Sequence, residues 1–208
     1  MDEDKRERRA VQRAYDEMAG GYADRYSDEL HDDPEPVERF CAGLDDDARL
    51  LAAGCGPGDT PLRVAGRTGV GLDFSREQLG VARERLPAAL VQGDMTALPF
   101  AAGSFDAVAA LYSLIHVPLA DHRTVVEEFA RVLRPDGCLL VTEGGAEWRG
   151  SNPDWLDSGT EMRWSMAGPE ATREQLRDSG FEIRAVWNVH DPTTEDGEKP
   201  FLLAVLSG

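Results

Sequence analysis

The sequence predicts an α/β protein with a seven-stranded, mostly parallel, doubly wound sheet that ends in an antiparallel hairpin. Short apolar runs alternate with helical patterns from residue 49 onward, and the last two apolar runs have no helix between them. Strand–helix–strand units form right-handed crossovers and therefore parallel pairs. Two final strands joined without a helix are expected to pair antiparallel at one edge of the sheet.

The first 45 residues precede this alternation and are predicted to be a helical extension or cap. A helix is expected over Glu3–Met18 because good helix formers fill it. Gly20-Gly21 is expected to end that helix, since glycine is a poor helix former, before another turn or two reaches Leu30.

The rest of the chain is predicted to be one domain. Pro34 and Pro36 should open a short helix that ends near Gly43, just before the first strand. Residues 46–208 have the length of a single domain and show no internal repeat. Within them, residues 144–168 form a variable segment that we expect to act as a lid.

The elements of this domain are predicted from apolar runs and the residues that end them. Ser75 with Gln78 three residues later is a capping box that starts a helix, and Pro135-Asp136-Gly137 is a turn. In chain order the predictions are strand 49–53, helix 60–67, strand 69–74, helix 75–86, strands 89–91 and 105–111, helix 121–134, strand 138–142, helix 169–180, and strands 181–189 and 201–206.

The charge of the chain argues against several partners. It has 22 Lys plus Arg and 39 Asp plus Glu, a formal net charge of −17, and its only lysines are Lys5 and Lys199. Such a surface repels nucleic acids and anionic membranes, whose binding depends on Lys and Arg. High Asp with little Lys resembles proteins of salt-loving organisms, so we expect a halophilic source.

Cysteine content and hydropathy suggest a reducing cytoplasm. Cys41, Cys55 and Cys138 are odd in number and widely spaced, which predicts neither a disulfide framework nor a zinc site. The longest mostly apolar run, residues 107–117, is shorter than the about 20 residues that a membrane span needs. The first ten residues, MDEDKRERRA, lack the apolar stretch of a secretory signal. We therefore expect a cytoplasmic protein without a membrane partner.

A glycine-rich loop follows the first predicted strand. Gly54-x-Gly56-x-Gly58 leads toward a helix at the carboxyl end of the strand, where open α/β sheets bind ligands. The dinucleotide fingerprint would need glycine where Asp59 stands, and no Gly-Lys-Ser/Thr follows as in a P-loop. The loop alone is equally consistent with a tight strand-to-helix turn.

Two acids follow the next two strands. Asp73, 19 residues after Gly54, is placed to accept hydrogen bonds from ribose hydroxyls, or else to stabilise a helix N-terminus. Asp94 could accept an exocyclic amine of adenine while Met95 covers the ring; an ordinary Gly-Asp turn is the alternative. Together with the glycine loop, the two acids point to an adenosine-like ligand at three adjacent strand ends.

These motifs resemble those of class I S-adenosylmethionine-dependent methyltransferases. The resemblance covers roughly residues 10–208 and implies a Rossmann-like methyltransferase fold with S-adenosylmethionine as cofactor. The matching segments are residues 51–58, Gly71-Leu72-Asp73-Phe74-Ser75, Gly93-Asp94-Met95, Phe105-Asp106-Ala107-Val108 and Leu133-Arg134-Pro135-Asp136-Gly137. Residues 111–118 and 162–165 resemble a subgroup that acts on small molecules.

The resemblance also implies a set of cofactor contacts. Tyr22, within Tyr15-Asp16-x-x-Ala19-x-x-Tyr22, resembles an aromatic residue that closes over the cofactor, with helix packing as the alternative. Ala52 stands where the family commonly has an acid. The implied contacts are Gly54, Cys55, Gly56 and Gly58 to the methionine part, Asp73 to the ribose, Phe74 and Met95 to the adenine faces, Asp94 to the adenine amine, and Ser113 to the cofactor.

Fewer residues are candidates for the chemistry. His116 follows the fourth strand and is predicted to act as a base, unless it only orients the loop. Glu143 ends the fifth strand and is predicted to be a second base or an amine contact, or else a cap on Gly144-Gly145. Tyr112 and Trp164 are expected in an aromatic-walled substrate pocket together with Trp148 and Trp155, with packing of the lid against the body as the alternative for at least one tryptophan. No cluster has metal-ligand spacing, so we expect no metal.

The predicted function is methyl transfer from S-adenosylmethionine to a small-molecule acceptor, by in-line displacement. A non-catalytic or regulatory protein that binds S-adenosylmethionine or S-adenosylhomocysteine (SAH) is the alternative, motivated by Ala52. A nicotinamide oxidoreductase is disfavoured by the glycine spacing. The sequence does not predict the oligomeric state, the acceptor or the accepting atom.

Overall fold

The structure, a computed structural model, describes residues 3–29, 34–58, 61–62, 69–190 and 197–208. Its helices within these ranges are α1 (Glu3–Glu29), α2 (Pro34–Ala42), α3 (Arg76–Arg85), α4 (Leu119–Val132) and α5 (Pro169–Asp178), with 3-10 turns at Leu114–His116 and Trp155–Asp157. Its strands are β1 (Leu50–Ala53), β2 (Val70–Asp73), β3 (Ala89–Gln92), β4 (Phe105–Ala110), β5 (Leu133–Thr142), β6 (Trp148–Asn152), β7 (Met162–Met166), β8 (Phe181–His190) and β9 (Glu198–Leu206).

Seven strands form one sheet in the order β3-β2-β1-β4-β5-β9-β8. Strands β1 to β5 pair in parallel, whereas β9 is antiparallel to both β5 and β8. The predicted sheet with its final antiparallel hairpin at one edge is therefore confirmed. Because the five parallel strands end at the same edge, the segments after β1, β2, β3 and β4 lie close together.

Helices cover both faces of the sheet. On one face, Val125 and Phe129 of α4 and Leu176 of α5 pack against Leu51 and Val108. On the other, a second buried cluster joins the alternate strand positions to α2 and α3; it includes Val37, Phe40, Leu50, Ala52, Leu79, Ala107 and Leu140. Residues of β1 are buried on both sides, as expected for a central strand of a parallel sheet.

Helix α3 begins as the sequence predicts. The Ser75 hydroxyl oxygen accepts a hydrogen bond from the Gln78 backbone N–H at 3.2 Å, which is the N-cap interaction of a capping box. The reciprocal bond is not made, since the buried Gln78 side-chain amide has no hydrogen-bond partner within the described residues. The Ser75 hydroxyl instead donates to Asp16 of α1 at 2.6 Å.

The expected break at Gly20-Gly21 is wrong, because α1 runs through both glycines as one helix of 27 residues. The glycines are exposed, but Met18, Ala19 and Ala23 on either side are buried against the body of the protein. This packing outweighs the penalty of about 1 kcal/mol for each glycine in a helix.

A turn and a hairpin also differ from the prediction. Pro135-Asp136-Gly137 is an irregularity inside β5 and not a turn before it, because Leu133 already pairs with Phe105. In residues 144–168 the sequence predicts no strands, yet β6 and β7 form a separate two-stranded antiparallel sheet.

Two predicted segments lie outside the described residues. They are the helix at 60–67, apart from residues 61–62, and residues 191–196 of the connection between the last two predicted strands. The helices predicted at residues 34–43, 121–134 and 169–180 are confirmed within a few residues, as α2, α4 and α5.

Replacing Gly20 with Ala is expected to stabilise the protein by about 1 kcal/mol. Alanine is the better helix former, and it lowers the conformational entropy of the unfolded chain, so that less entropy is lost on folding. No heavy atom lies within 4 Å of the position that the new Cβ would take. Urea unfolding of Gly20→Ala and the parent measures the difference. Gly54→Ala is the matched control and should destabilise, since its φ is +73° and its Cβ would lie 2.3 Å from the Ser113 Cβ. A loss of stability in Gly20→Ala would contradict a continuous α1.

Candidate functional site

A cleft lies at the carboxyl ends of β1, β2, β3 and β4, beneath α1. It encloses about 870 Å³, counting the part open to solvent. Helix α1 contributes three lining side chains, Arg8, Tyr15 and Tyr22. The predicted site residues that line it are Tyr22, Gly54, Cys55, Gly56, Asp73, Phe74, Asp94, Met95, Tyr112, Ser113 and His116.

The glycine loop is held against the ends of β2 and β4. The Gly54 and Cys55 N–H groups both donate to the Leu72 carbonyl, at 2.7 and 3.0 Å. The Ser113 hydroxyl donates to the Ala53 carbonyl at 2.9 Å, so its side chain occupies the space that a Cβ on Gly54 would need. Because the segments that follow β1 and β4 are this close, only glycine fits at position 54.

Of the four glycine-loop residues expected at the cofactor, only Gly58 lies away from the cleft. Gly56 lines the cleft, and its N–H points to Asp73. Gly58 does not line the cleft; with φ of +93° it lies against α3, where a Cβ would come within 2.8 Å of Leu86. Its requirement for glycine is therefore explained by packing.

Asp73 connects the glycine loop to the start of α3. Its Oδ2 accepts from the Gly56 N–H and its Oδ1 from the Ser75 N–H, both at 2.8 Å. The residue is 6% exposed, and burial raises the pKa of Asp73 to about 6 against the opposing effect of these hydrogen bonds. The carboxylate is thus fixed in orientation at the floor of the cleft.

Asp94 is fixed by the turn that follows β3 and by α1. Its Oδ1 accepts from the Thr96 N–H and hydroxyl, at 2.9 and 2.8 Å. Its Oδ2 accepts from Arg8 Nε at 3.0 Å, and the same guanidinium also forms an ion pair with Asp121 at the start of α4. Arg8 therefore joins α1 to two acids beside the cleft.

His116 lies at the other end of the cleft, in the 3-10 turn after β4. Its Nδ1 is 3.0 Å from the Arg163 carbonyl of β7, and its Nε2 is 2.8 Å from the Tyr15 hydroxyl. Because a carbonyl only accepts, Nδ1 carries the proton, and Nε2 accepts from Tyr15. Burial lowers the pKa of His116 to about 4, so the ring is neutral at pH 7.

The aromatic residues form a continuous series beside His116. Tyr15 contacts Tyr22 edge to face at 5.5 Å between ring centroids, and Trp164 lies 5.8 Å from the His116 ring. Trp164 packs behind His116 and does not line the cleft. Trp155 contacts both Tyr22 and Trp164, at 5.8 and 5.4 Å.

Tyr112 holds a conformation that few residues adopt, with φ of +52°. Its N–H donates to the Thr142 hydroxyl at 2.6 Å, and the Lys199 ammonium lies 5.1 Å from the centroid of its ring. These contacts from β5 and β9 fix the Tyr112 ring at the edge of the cleft.

Glu143 does not line the cleft, although its sequence position suggested a base there. It is 1% exposed, and its two oxygens accept from the Gly144 N–H and the Thr172 hydroxyl, both at 2.7 Å. His122 Nδ1 lies 3.9 Å away, and burial raises the pKa of Glu143. The carboxyl group thus joins the end of β5 to the first turn of α5, which agrees with the capping alternative.

Among the residues that line the cleft, sequence reasoning assigned no role to the polar side chains of Tyr15 and Arg8. Tyr15 is seven residues before Tyr22, which places both on one face of a continuous helix. The expected break at Gly20-Gly21 concealed that relation. Arg8 had no local signal, because its partners lie 86 and 113 residues away.

Within the described residues, no three His, Cys, Asp or Glu side chains are grouped so that they could hold a metal ion. Within the same residues, no helix combines the length and the apolar character required to cross a membrane.

The residues that form the floor of the cleft match a known family. Residues 51–141 fit the family model described as a methyltransferase domain. This part of the chain is a methyltransferase domain. It contains the glycine loop, Asp73, Asp94 and His116, whereas α1 and the β6–β7 hairpin lie outside the match.

The methyltransferase domain also has a curated relative over a longer stretch. The chain is 30% identical over 154 residues to the O-methyltransferase resE of Aspergillus sclerotiorum, which covers 68% of this chain and 58% of that relative. The chain spans less than two thirds of the length of the first curated relatives that it matches.

Solved structures share the fold at low identity. Magnesium protoporphyrin IX methyltransferase (ChlM) from Synechocystis PCC 6803, solved with bound SAH, has a TM-score of 0.73 at 18% identity and covers 97% of this chain and 100% of its own. The [4+2]-cyclase SpnF has a TM-score of 0.68 at 23% identity, with 95% and 93% covered. The sheet therefore has the Rossmann-like methyltransferase fold.

Proposed function

We propose that the protein transfers a methyl group from S-adenosylmethionine to a small-molecule acceptor. The observation that carries this proposal is that the methyltransferase domain brings its glycine loop, Asp73 and Asp94 to one cleft that also contains His116. The cofactor supplies an electrophilic methyl group on a sulfonium. The chain's own residues then have to bind, orient and, where needed, accept a proton.

The cleft suits this cofactor at each of its parts. Hydrogen bonds from the Gly56 and Ser75 N–H groups orient the Asp73 carboxylate, which could then accept hydrogen bonds from ribose hydroxyls. Phe74 and Met95 offer apolar surfaces for adenine, and Asp94 an acceptor for its amine. Gly54, Cys55, Gly56, Ser113 and Tyr22 would bind the remainder, since all of them line the cleft.

We assign the role of proton acceptor to His116. Its ring is neutral and its Nε2 lone pair points to the Tyr15 hydroxyl, 2.8 Å away. An acceptor with a hydroxyl or a protonated amine could displace the Tyr15 hydroxyl from Nε2 and give its proton to Nε2 directly. If the acceptor binds beside Tyr15, the proton would pass to Nε2 through the Tyr15 hydroxyl. The Arg163 carbonyl would stabilise the imidazolium that results.

The apolar lining of the cleft and the segments that cover it suit a small-molecule acceptor. Residues 1–45 would act as a cap and residues 144–168 as a lid, since Tyr15 of α1 and Arg163 of β7 meet at His116. Tyr15, Tyr112 and Val117 leave a mostly apolar space there. The ChlM neighbour is named as a methyltransferase of magnesium protoporphyrin IX, which is a small molecule.

A non-catalytic cofactor-binding protein is the second candidate. Ala52 favours it, because the family that the motifs resemble commonly has an acid at that position. SpnF, named as a cyclase, has this fold as well.

Calorimetric titration with S-adenosylmethionine and SAH, in a high-salt buffer that suits an acidic protein, tests both candidates. We expect both ligands to bind, and we expect SAH release in the presence of at least one member of a panel of phenols, quinols and amines. Absence of binding would contradict both candidates. Binding without transfer to any acceptor would favour the second.

A further inference from the structure

A buried polar cluster lies next to the turn that carries His116. It consists of His122 on α4, Glu143 directly after β5, and Thr172 on α5, and each of the three is at most 1% exposed. None of them lines the cleft. Because buried polar and ionisable side chains lower stability unless they are paired, this cluster needs an explanation other than the filling of the core.

His122 is bonded to the turn that carries His116. Its Nε2 lies 2.9 Å from the Val117 carbonyl, and since a carbonyl only accepts, Nε2 carries a proton and donates it. The Val117 N–H in turn donates to the Leu114 carbonyl at 2.9 Å, which closes the 3-10 turn Leu114–His116. One hydrogen bond from the core thus fixes the peptide group that directly follows His116.

The other ring nitrogen of His122 faces Glu143. Within the described part of the chain, Nδ1 makes no hydrogen bond, and Glu143 Oε2 lies 3.9 Å from it. With its proton on Nε2, the neutral ring has a lone pair on Nδ1 and needs a donor there. An ionised carboxylate cannot donate, whereas a protonated one can.

Burial favours a proton on Glu143. It raises the pKa of Glu143 against the opposing effect of the hydrogen bonds that the carboxyl group accepts, and it lowers the pKa of His122, although the Val117 and Ser165 backbones oppose this. The hydrogen bonds to the two Glu143 oxygens, both at 2.7 Å, fix the carboxyl group. A protonated Oε2 is then a donor that faces the Nδ1 lone pair.

We propose that His122 and Glu143 are positioning residues for His116. Glu143 donates to His122 Nδ1, the two atoms approaching from 3.9 Å to about 2.8 Å, and the ring oriented in this way donates to the Val117 carbonyl. The turn then keeps His116 Nε2 in the cleft, 2.8 Å from the Tyr15 hydroxyl. The role rests on the proposed function, in which His116 accepts the proton.

Steady-state kinetics on matched variants of the whole chain tests His122. The side-chain amide of Gln reaches the position of Nε2 and donates to Val117, whereas that of Asn is too short. We expect kcat to fall at least about tenfold in His122→Asn and to stay within about threefold of the parent in His122→Gln. Cofactor affinity, measured by calorimetry, should be unchanged in both. A residue that only fills the core would affect stability in urea and leave the kcat of the folded protein unchanged.

A second pair of variants tests Glu143. Glu143→Gln keeps an amide donor for Nδ1 and an oxygen for the Gly144 N–H, so kcat should stay near that of the parent. Glu143→Met has a similar length without these groups and should lose about as much as His122→Asn. This pair also decides the question if His122→Asn does not fold. His190→Asn, at an exposed position of β8, is the control and should leave kcat unchanged.

NMR on protein with ¹⁵N-labelled histidine tests the positioning role without methyl transfer. In the parent, His116 should stay neutral from about pH 7 to about pH 5, since burial lowers its pKa to about 4. In His122→Asn the displaced turn should expose the ring, which then titrates nearer to the reference pKa of 6.5. His122→Gln should resemble the parent.

The outcomes separate the two proposals. Absence of methyl transfer by the parent would contradict the proposed function, while the NMR titration still decides the positioning role. An unchanged His116 titration in folded His122→Asn, or equal losses of kcat in His122→Asn and His122→Gln, would overturn that role.

Discussion

Replacing Asp73 with Ala is expected to weaken S-adenosylmethionine binding by at least about 100-fold. Two hydrogen bonds from ribose hydroxyls to an ionised, buried carboxylate would be lost, each worth about 1.5–3 kcal/mol. The change also removes the acceptor that holds the Gly56 N–H at 2.8 Å, so the glycine loop would lose an anchor. Calorimetry on Asp73→Ala and the parent measures the loss.

Asp106→Ala is the matched control for this substitution. Asp106 is also an aspartate of the sheet, but it accepts from the Arg49 N–H at 2.6 Å, at the beginning of β4 and away from the cleft. Its loss should lower stability and leave cofactor affinity within about twofold. Unchanged affinity in Asp73→Ala would show that the ribose is bound elsewhere.

The raised pKa of Asp73 also predicts a pH dependence. Ribose hydroxyls donate to the ionised carboxylate, so binding should weaken as the pH falls through about 6, by up to about tenfold per pH unit. Asp73→Asn, which cannot ionise, should remove this dependence. A flat profile from about pH 8 to about pH 5 in the parent would contradict a role for the carboxylate.

The same pKa has an opposite effect on folding. The folded-state value of about 6 is above the reference value of 3.8, so the folded protein binds a proton that the unfolded chain releases. The stabilisation from protonated Asp73 is fully present below pH 3.8, the reference pKa, and is lost as the pH rises through about 6, the pKa in the folded protein. A bound cofactor would offset that loss, since it favours the ionised form.

Replacing His116 with Ala is expected to lower kcat by about 100- to 1,000-fold on the acceptor found in the panel, with little change in cofactor affinity. General base catalysis contributes about 10²–10⁴ to enzyme rates. Tyr15→Phe, which keeps the ring but removes the hydroxyl that donates to Nε2 at 2.8 Å, should have the smaller effect of about tenfold. Steady-state kinetics and calorimetry on each variant separate kcat, KM and cofactor binding.

His190→Ala supplies the control, because His190 is an exposed histidine on the edge strand β8. It should leave kcat unchanged. Because the pKa of His116 is lowered to about 4, the ring stays unprotonated as the pH falls from about 7 to about 5, and kcat at saturating cofactor should not fall through protonation of His116. Retention of kcat within about twofold in His116→Ala would exclude proton transfer to this ring.

Most of the fold could be predicted from the sequence because its signals are local. Strands such as Leu50–Ala53 are short apolar runs that end in glycine or an acid. The N-cap at Ser75 is a pattern of four residues. The placing of Asp73 and Asp94 beside the glycine loop then follows from parallel pairing, which brings all carboxyl ends to one edge.

The remainder depends on contacts between distant parts of the chain. The continuity of α1 depends on packing of Met18 and Ala23, which overrides the local effect of two glycines. Glu143 has the polarity of a base, but its partner Thr172 lies 29 residues further on. No local sequence pattern shows that a carboxylate already accepts hydrogen bonds from a distant part of the chain.

The series of rings beside His116 gives the protein an optical property. Of the four tryptophans, Trp164 contacts both Trp148 and Trp155, and Trp155 also contacts the cleft-lining Tyr22. We therefore expect their emission to change when a ligand occupies the space next to Tyr22 and Tyr15. The chain thus contains its own fluorescent reporter of ligand entry, without an added label.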